Sequence, residues 1–323
     1  MAVSTRIKRF PVSLFILLVS ISSSQAMANR CLFISSYHSG YAWSDGVESG
    51  LRETLEGKCD LKQFDMDTKR RKDEESKKNA ALEAKAIIEN WKPDVVITAD
   101  DNAAKYVIQP FYKDHRIPFV FCGVNWNVDG YGFPYVNTTG MVEVAPIDAL
   151  FEKARNIQGG AHDAIYIGAK TLTERKNLKR FQRAAEKYNL SLEHRLVNST
   201  SDWLAAYAEA QKYDFVVIGS NSGINDWNSE SVTDHVVKST TTLTLTNHGW
   251  MMPYTILGLT KVPEEHGEWA GLAALAILKG TKPTEIPIVS NRKWDIWINH
   301  AVLETSGIRF PETLLRKAKK VNL

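Results

Sequence analysis

Asp94-Val-Val-Ile-Thr-Ala99 followed by Asp100-Asp-Asn-Ala-Ala104 decides the fold. A short apolar run rich in β-branched residues reads as a buried strand, and the acidic start after it reads as a helix N-terminus. Residues 102–111 supply that helix, and Pro118–Val124 (PFVFCGV) the next apolar strand. Alternation of this kind marks a parallel α/β sheet. The same unit recurs upstream. Cys31–Ser35 predicts a strand, Asp45–Leu55 a helix with Val47, Leu51 and Leu55 on one face, Leu61–Phe64 a strand and Asn79–Asn90 a helix. The charge-dense stretch Lys69–Lys78 reads as a solvated helix start.

After Thr138–Met141 the pattern restarts. Helices are predicted over 146–156, 174–188, 201–211 and 264–278, and strands over 164–167, 192–196, 214–218, 240–245 and 254–257. An extended tail over 286–299 leads to two short helices around Pro311. The expectation is an α/β protein of two flavodoxin-like (Rossmann-like) lobes with parallel sheets, joined by a hinge of several crossovers. Lobe 1 is expected to span residues 29–138 plus 247–279, and lobe 2 residues 139–246 plus 280–323. The hinge is placed near Thr138–Met141, Thr246–Trp250 and Gly280–Pro287.

The first 28 residues carry a different signal. Arg6, Lys8 and Arg9 precede an apolar run from Phe10 to Ile21, and Ala26-Met27-Ala28 closes the segment. This is the layout of a cleaved secretory signal peptide, too short to span a bilayer comfortably. Its removal takes three of the 40 basic residues and none of the 37 acidic ones, leaving 37 of each sign. A neutral chain argues against nucleic-acid binding and against an electrostatic membrane-surface role. No later apolar run approaches 18 residues, so no stable membrane insertion is expected. The chain is expected in the periplasm as a monomer.

Three cysteines are present. Cys31 and Cys59 open the first two strands, where parallel pairing places strand starts side by side. A disulfide and two buried free thiols are both consistent with that placement. Cys122 lies in an apolar strand and reads as core.

In open parallel sheets ligands bind at the carboxyl ends of the strands. The residues that follow the predicted strands there make the candidate ligand site: Ser36, Tyr37, His38 and Trp43; Asp101 and Asn102; Asn125 and Trp126; Ser220 and Asn221; Asn247 and Trp250. Aromatic walls and short polar groups suit a small polar molecule. The same short polar residues also serve as ordinary helix caps and turn formers. The pattern holds no G-x-S-x-G elbow, P-loop, H-E-x-x-H or closely spaced histidine pair. Glu264-Glu265-His266 with Glu268 sits in the first turn of a helix, where acidic residues favour the dipole. Catalytic residues, bound metal and cofactor are not expected.

Several segments resemble ABC-transporter substrate-binding proteins of the periplasmic binding protein type I fold, in the tryptophan- and tyrosine-uptake-like subgroup. They are Asp94–Ala104, Ile117–Val124, Asn137–Met141, Gly267–Leu278, Lys279–Pro287 and Ile298–Leu315. The resemblance implies two lobes closing on a ligand, with Ser36, Tyr37, His38, Asp101 and Asn102 facing the cleft, and an ABC permease as partner. The first loop, Tyr37–Trp43, is bulkier and more aromatic than is usual in that family. It resembles extracytoplasmic sensing regions, so docking on a membrane histidine kinase or diguanylate cyclase is the alternative output. A secreted hydrolase is the third.

Overall fold

The computed structural model describes Met1 and residues 29–321. The expected signal peptide, residues 2–28, lies outside the described residues. From Arg30 onward strands and helices alternate in two blocks. The first contains β1 (Arg30–Ser35), α1 (Ala42–Leu55), β2 (Asp60–Asp65), α2 (Glu74–Trp91), β3 (Val95–Ala99), α3 (Asp100–Ala103), a π-helical turn (Ala104–Ile108), α4 (Gln109–Phe111), β4 (Phe119–Asn125) and β5 (Thr138–Glu143). The second contains α5 (Ile147–Gln158), β6 (Asp163–Ala169), α6 (Leu172–Lys187), β7 (Ser191–Val197), α7 (Thr200–Ala210), β8 (Phe215–Ile218), α8 (Ser229–Ser239), β9 (Leu243–Thr246) and β10 (Leu257–Lys261). The chain then crosses back for α9 (Pro263–Leu278) and β11 (Val289–Ser290), and returns for β12 (Trp294–Ile298), α10 (His300–Ser306), α11 (Glu312–Lys317) and β13 (Lys319–Lys320).

Two sheets result. The first is all parallel, in the order β11-β5-β4-β3-β1-β2. The second runs β13-β12-β10-β9-β8-β6-β7, with β12 antiparallel to β10. Its other pairs are parallel. Burial explains the strand compositions. The central strands β3 and β8 are covered on both faces and are apolar almost throughout. The edge strands β2 and β7 mix exposed and half-buried positions and carry the charges.

Sheet membership corrects the expected lobe boundaries. Thr138–Met141 is not hinge but part of β5, which pairs with β4, so residues 138–143 belong to the first lobe. Gly140 hid this in the sequence. A glycine reads as a breaker there, yet it lies so close to Phe121 that a side chain has no room. The strand expected over 254–257 is instead Leu257–Lys261, in the second sheet. The preceding Gly249–Tyr254 forms a 3-10 turn around Pro253, which lacks the N–H a central strand donates. The crossovers therefore fall at 144–146, at Val262 and at 291–293. Helix α8 was not anticipated, because its buried face consists of only Val232 and Val236.

Cys31 and Cys59 are joined in a disulfide, with their Cα atoms 6.0 Å apart across 28 residues of sequence. It ties β1 to the loop entering the edge strand β2. Closing a loop of this length is worth about 3.5 kcal/mol in the chain-entropy account. Urea unfolding with and without dithiothreitol is expected to show a loss of that order on reduction, and unchanged midpoints would count against the bond. Cys122 is a buried free thiol.

Candidate functional site

The carboxyl ends of β1, β2, β3 and β4 meet at one edge of the first sheet, and the chain is strained there. Asp67, Asp100 and Trp126, which follow β2, β3 and β4, have φ values of 56°, 69° and 68°. Left-handed backbone costs about 1–3 kcal/mol per non-glycine residue and persists where the surroundings enforce it, commonly at functional sites.

Asp100 lies at the bottom. It is 2% exposed. Its Oδ1 accepts a hydrogen bond from Trp43 Nε1 at 2.9 Å, while its Oδ2 is buried without a donor. Burial pushes this carboxyl up to about 7, against the Trp43 hydrogen bond that favours the charged form. Gly123, at a register shift in β4 with φ 69°, lets the backbone pass; a Cβ there would come within 2.8 Å of Asp100 Oδ1.

Around Asp100 stand groups from several elements. Trp43 packs against His266 of α9 (ring centroids 5.2 Å apart), and His266 Nδ1 accepts from Gly123 N at 3.3 Å. Burial and the nearby Lys261 push His266 down to about 3. Lys261, the last residue of β10, lies 5.3 Å from the Trp43 ring centroid and pairs with Glu143, the last residue of β5. Burial pushes it down to about 8, opposed by Asp100. The ion pair thus joins the two lobes beside two of the crossovers. Tyr37 is raised well above the usual phenol range by burial and by the negative charges of Asp100 and Asp101. Lys69 covers the Tyr37 and Tyr41 rings at 4.5 and 4.8 Å.

The other candidates in this lobe divide into organisers and open groups. Ser36 is buried and its hydroxyl is fully used, donating to Ala99 O at 2.5 Å and accepting from Ala103 N at 2.8 Å. It stands behind the site and fastens β1 to the helix. Asp101 accepts from Asn125 Nδ2 and, at 2.6 Å, from the Tyr131 hydroxyl, so it positions both side chains. Asn102 donates to Thr68 Oγ1 at 2.7 Å. His38 Nδ1 lies 3.3 Å from Asp67 Oδ1 without the alignment of a hydrogen bond.

In the second lobe, Ser220 N donates to Glu174 Oε2 at 3.0 Å, and Ser220 Oγ accepts from Ser222 N. Glu174 is buried and also receives the Tyr166 hydroxyl and Asn177 Nδ2, binding the ends of β6 and β8 to α6. Asn221 is half-buried, its carbonyl accepting from Ile224 N. Asn247 Oδ1, just past β9, is buried without a partner. Trp250 is 56% exposed and stacks on His248 at 4.5 Å. Trp126 is set apart from Asp100, its ring 3.9 Å beneath the Arg180 guanidinium of α6.

Strand-end reading reaches Asp100 together with Asp101 and Asn102 but selects only the latter two, and it does not reach Lys261, Glu143 or His266. Lys261 and Glu143 became strand-end residues only once β10 and β5 were extended to their true ends. Among the described residues no group of three or more His, Cys, Asp or Glu side chains is arranged to hold a metal ion. Glu265 instead accepts Arg292 N and Lys293 N, each at 2.8 Å, and Glu268 pairs with Lys293. No described helix is long and apolar enough to cross a membrane.

Two lobes built on mostly parallel sheets and linked by three crossovers, with polar and aromatic groups gathered at the strand ends, define a type I periplasmic binding protein fold. The profile of the ABC transporter substrate binding protein family matches residues 32–322, and the chain belongs to that family. The fold is similar to that of the ligand-free, open substrate binding protein with adhesive properties from Clostridium difficile (13% identity, 91% of this chain and 99% of that one, TM-score 0.72). It is also similar to an ABC domain in complex with L-Trp from Streptococcus pneumonia (18% identity, 91% and 100%, TM-score 0.56). A third likeness is to a leucine binding protein from Thermotoga maritima (12% identity, 78% and 83%, TM-score 0.52). Among curated proteins none matches.

Proposed function

We propose that this chain is a periplasmic solute-binding protein. It captures a small polar or aromatic, amino-acid-like molecule between its lobes and delivers it to an ABC permease, without chemical turnover. The observation that carries this reading is Asp100: a buried carboxyl group with one oxygen lacking any hydrogen-bond partner, on strained backbone, beside Tyr37 and Trp43. A buried polar atom without a partner costs on the order of 1–3 kcal/mol, which a polar group of the ligand recovers. Asn247, with its buried free Oδ1, supports a second contact from the other lobe.

The mechanism follows from the hinge. A ligand held by one lobe drives closure only through contacts it makes better in the closed state. The Glu143–Lys261 pair spans two crossovers and holds the lobes in register while they move.

Native mass spectrometry of protein purified from its own periplasm, followed by small-angle scattering, tests this reading. A retained small molecule is expected, and its return to stripped protein should reduce the radius of gyration. A tightly bound ligand that leaves the radius unchanged would overturn the closure mechanism.

A further inference from the structure

Outside the strand-end site, a groove of 800 Å³ runs between Trp126 and helix α6. That size lies within the range of small-molecule sites. Its walls come from both lobes and from two crossovers: Trp126 and Asn127 on one side, Arg180 and Arg183 on the other, Pro146 and Asn291 between. We propose that this groove is a second binding site, for a small multivalent anion bearing phosphate or several carboxylates, held by the Arg180–Arg183 pair.

The charges support an anion. Arg180 and Arg183 stand one helical turn apart, where side chains at i and i+3 are neighbours. Among the described residues neither forms an ion pair; Arg180 donates only to the neutral Asn177 Oδ1 at 3.2 Å. Each guanidinium is therefore repelled by the other, and burial with that repulsion holds Arg180 below its ordinary value. The groove is also lined by two carboxylates and by Lys187, so its basic side chains outnumber its acidic ones three to two. Asp148 pairs with Lys187 at 2.6 Å, and Glu152 accepts the Tyr188 hydroxyl at 3.0 Å. Two planar forks without carboxylates match a phosphate or carboxylate group bidentately.

Trp126 fixes the geometry. Its backbone is in the left-handed region, its N–H donates to Glu143 O at 2.9 Å, and its ring supports the Arg180 guanidinium from below. The ring holds the guanidinium beside the groove, with one N–H spent on Asn177 and the remaining donors without a described partner. Because lobe 1, lobe 2 and two crossovers all contribute, an occupant senses the angle between the lobes. By linkage it then changes the affinity of the strand-end site by the same factor that the first ligand changes its own.

Inorganic phosphate and citrate are the probes, titrated into the mature protein by calorimetry at constant ionic strength set with sodium chloride. Saturable binding with a Kd on the order of 1 mM or tighter is expected for at least one of them. Binding to phosphate alone identifies a phosphate site, and binding to citrate alone a polycarboxylate site. Arg183→Gln, at an exposed position where substitution leaves folding intact, is expected to weaken binding at least tenfold. Arg180→Lys keeps the charge but loses the stacked fork, and an intermediate loss is expected. No saturable heat, or equal affinity in Arg183→Gln and the wild type, would overturn the proposal. Failure here leaves the strand-end site untouched, since neither arginine belongs to it.

Discussion

Asp100→Asn is expected to stabilise the ligand-free protein at neutral pH and to weaken ligand capture at least tenfold. The Asp100 carboxyl is pushed up to about 7 in the fold, against roughly 3.9 in an unfolded chain. Between those values the folded protein keeps a proton that the unfolded chain has released. Stability from this group is therefore fully present below about pH 4 and falls as pH rises towards 7, a loss on the order of 4 kcal/mol. Asparagine does not titrate, still accepts the Trp43 N–H, and tolerates left-handed backbone. His248 and His266, pushed down to about 4 and 3, titrate in the opposite sense over part of the same window. The informative quantity is thus the difference between variant and wild type. Urea unfolding at pH 4.5 and pH 7.5 is expected to show a small gain at the lower pH and several kcal/mol at the higher. Equal differences at both would show that Asp100 is not held neutral by the fold. Loss of the ligand retained by the wild type, in a variant of greater stability, would separate binding from folding.

Gly267→Val is expected to cost at least about 3 kcal/mol, and urea unfolding or expression as aggregate will report it. Helices α1 and α9 pack with their backbones almost touching. A Cβ on Gly267 would overlap the Val47 carbonyl oxygen and lie 2.6 Å from Leu51 N; one on Gly50 would overlap the Glu264 backbone. Gly271 and Gly46 are also crowded, but by the side chains of Thr54 and Pro263 rather than by backbone. None of the obstructing atoms at Gly267 belongs to a flexible side chain, so the helices themselves must separate. Their separation exposes Cys31, Val47, Leu51, Ala270 and Ala274 of the shared core. Gly130→Ala, with no atom near its Cβ position, should leave the midpoint unchanged. A wild-type midpoint in Gly267→Val would mean that the two helices do not pack this closely in solution.

The two glycine pairs show where local reading stops. Gly46/Gly50 and Gly267/Gly271 each recur at a spacing of four, which puts both members on one helix face. Nothing local says that the two faces meet, since α1 and α9 are separated by more than 200 residues and by most of the second lobe. The buried strands were legible for the opposite reason. DVVITA, PFVFCGV and DFVVI are apolar without alternation because helices cover both faces, and that composition is visible residue by residue. The least legible strand ends were the decisive ones. Lys261 and Glu143 terminate strands that carry Gly, Thr and charge, and only pairing with neighbouring strands identifies them as sheet.

The twelve residues chosen from the sequence lie at or just beyond strand ends, and the hydrogen bonds they make there were not legible in it. Ser36, Asp101 and Ser220 have the polar character of ligand contacts, yet the structure uses them to fasten strand to helix or to orient Asn125 and Tyr131. Asp100, beside the chosen Asp101, carries the free acceptor because its backbone turns left-handed and points it under Trp43. The amino-acid sequence by itself determined the alternating elements, the parallel sheets and the two-lobe architecture, because periodicity and composition act over a few residues. The tertiary structure alone decided where the lobes divide, which helices touch, and which carboxylate is left without a donor. Those depend on crossovers, close backbone approach and burial, and they arise only when residues distant in sequence share one space.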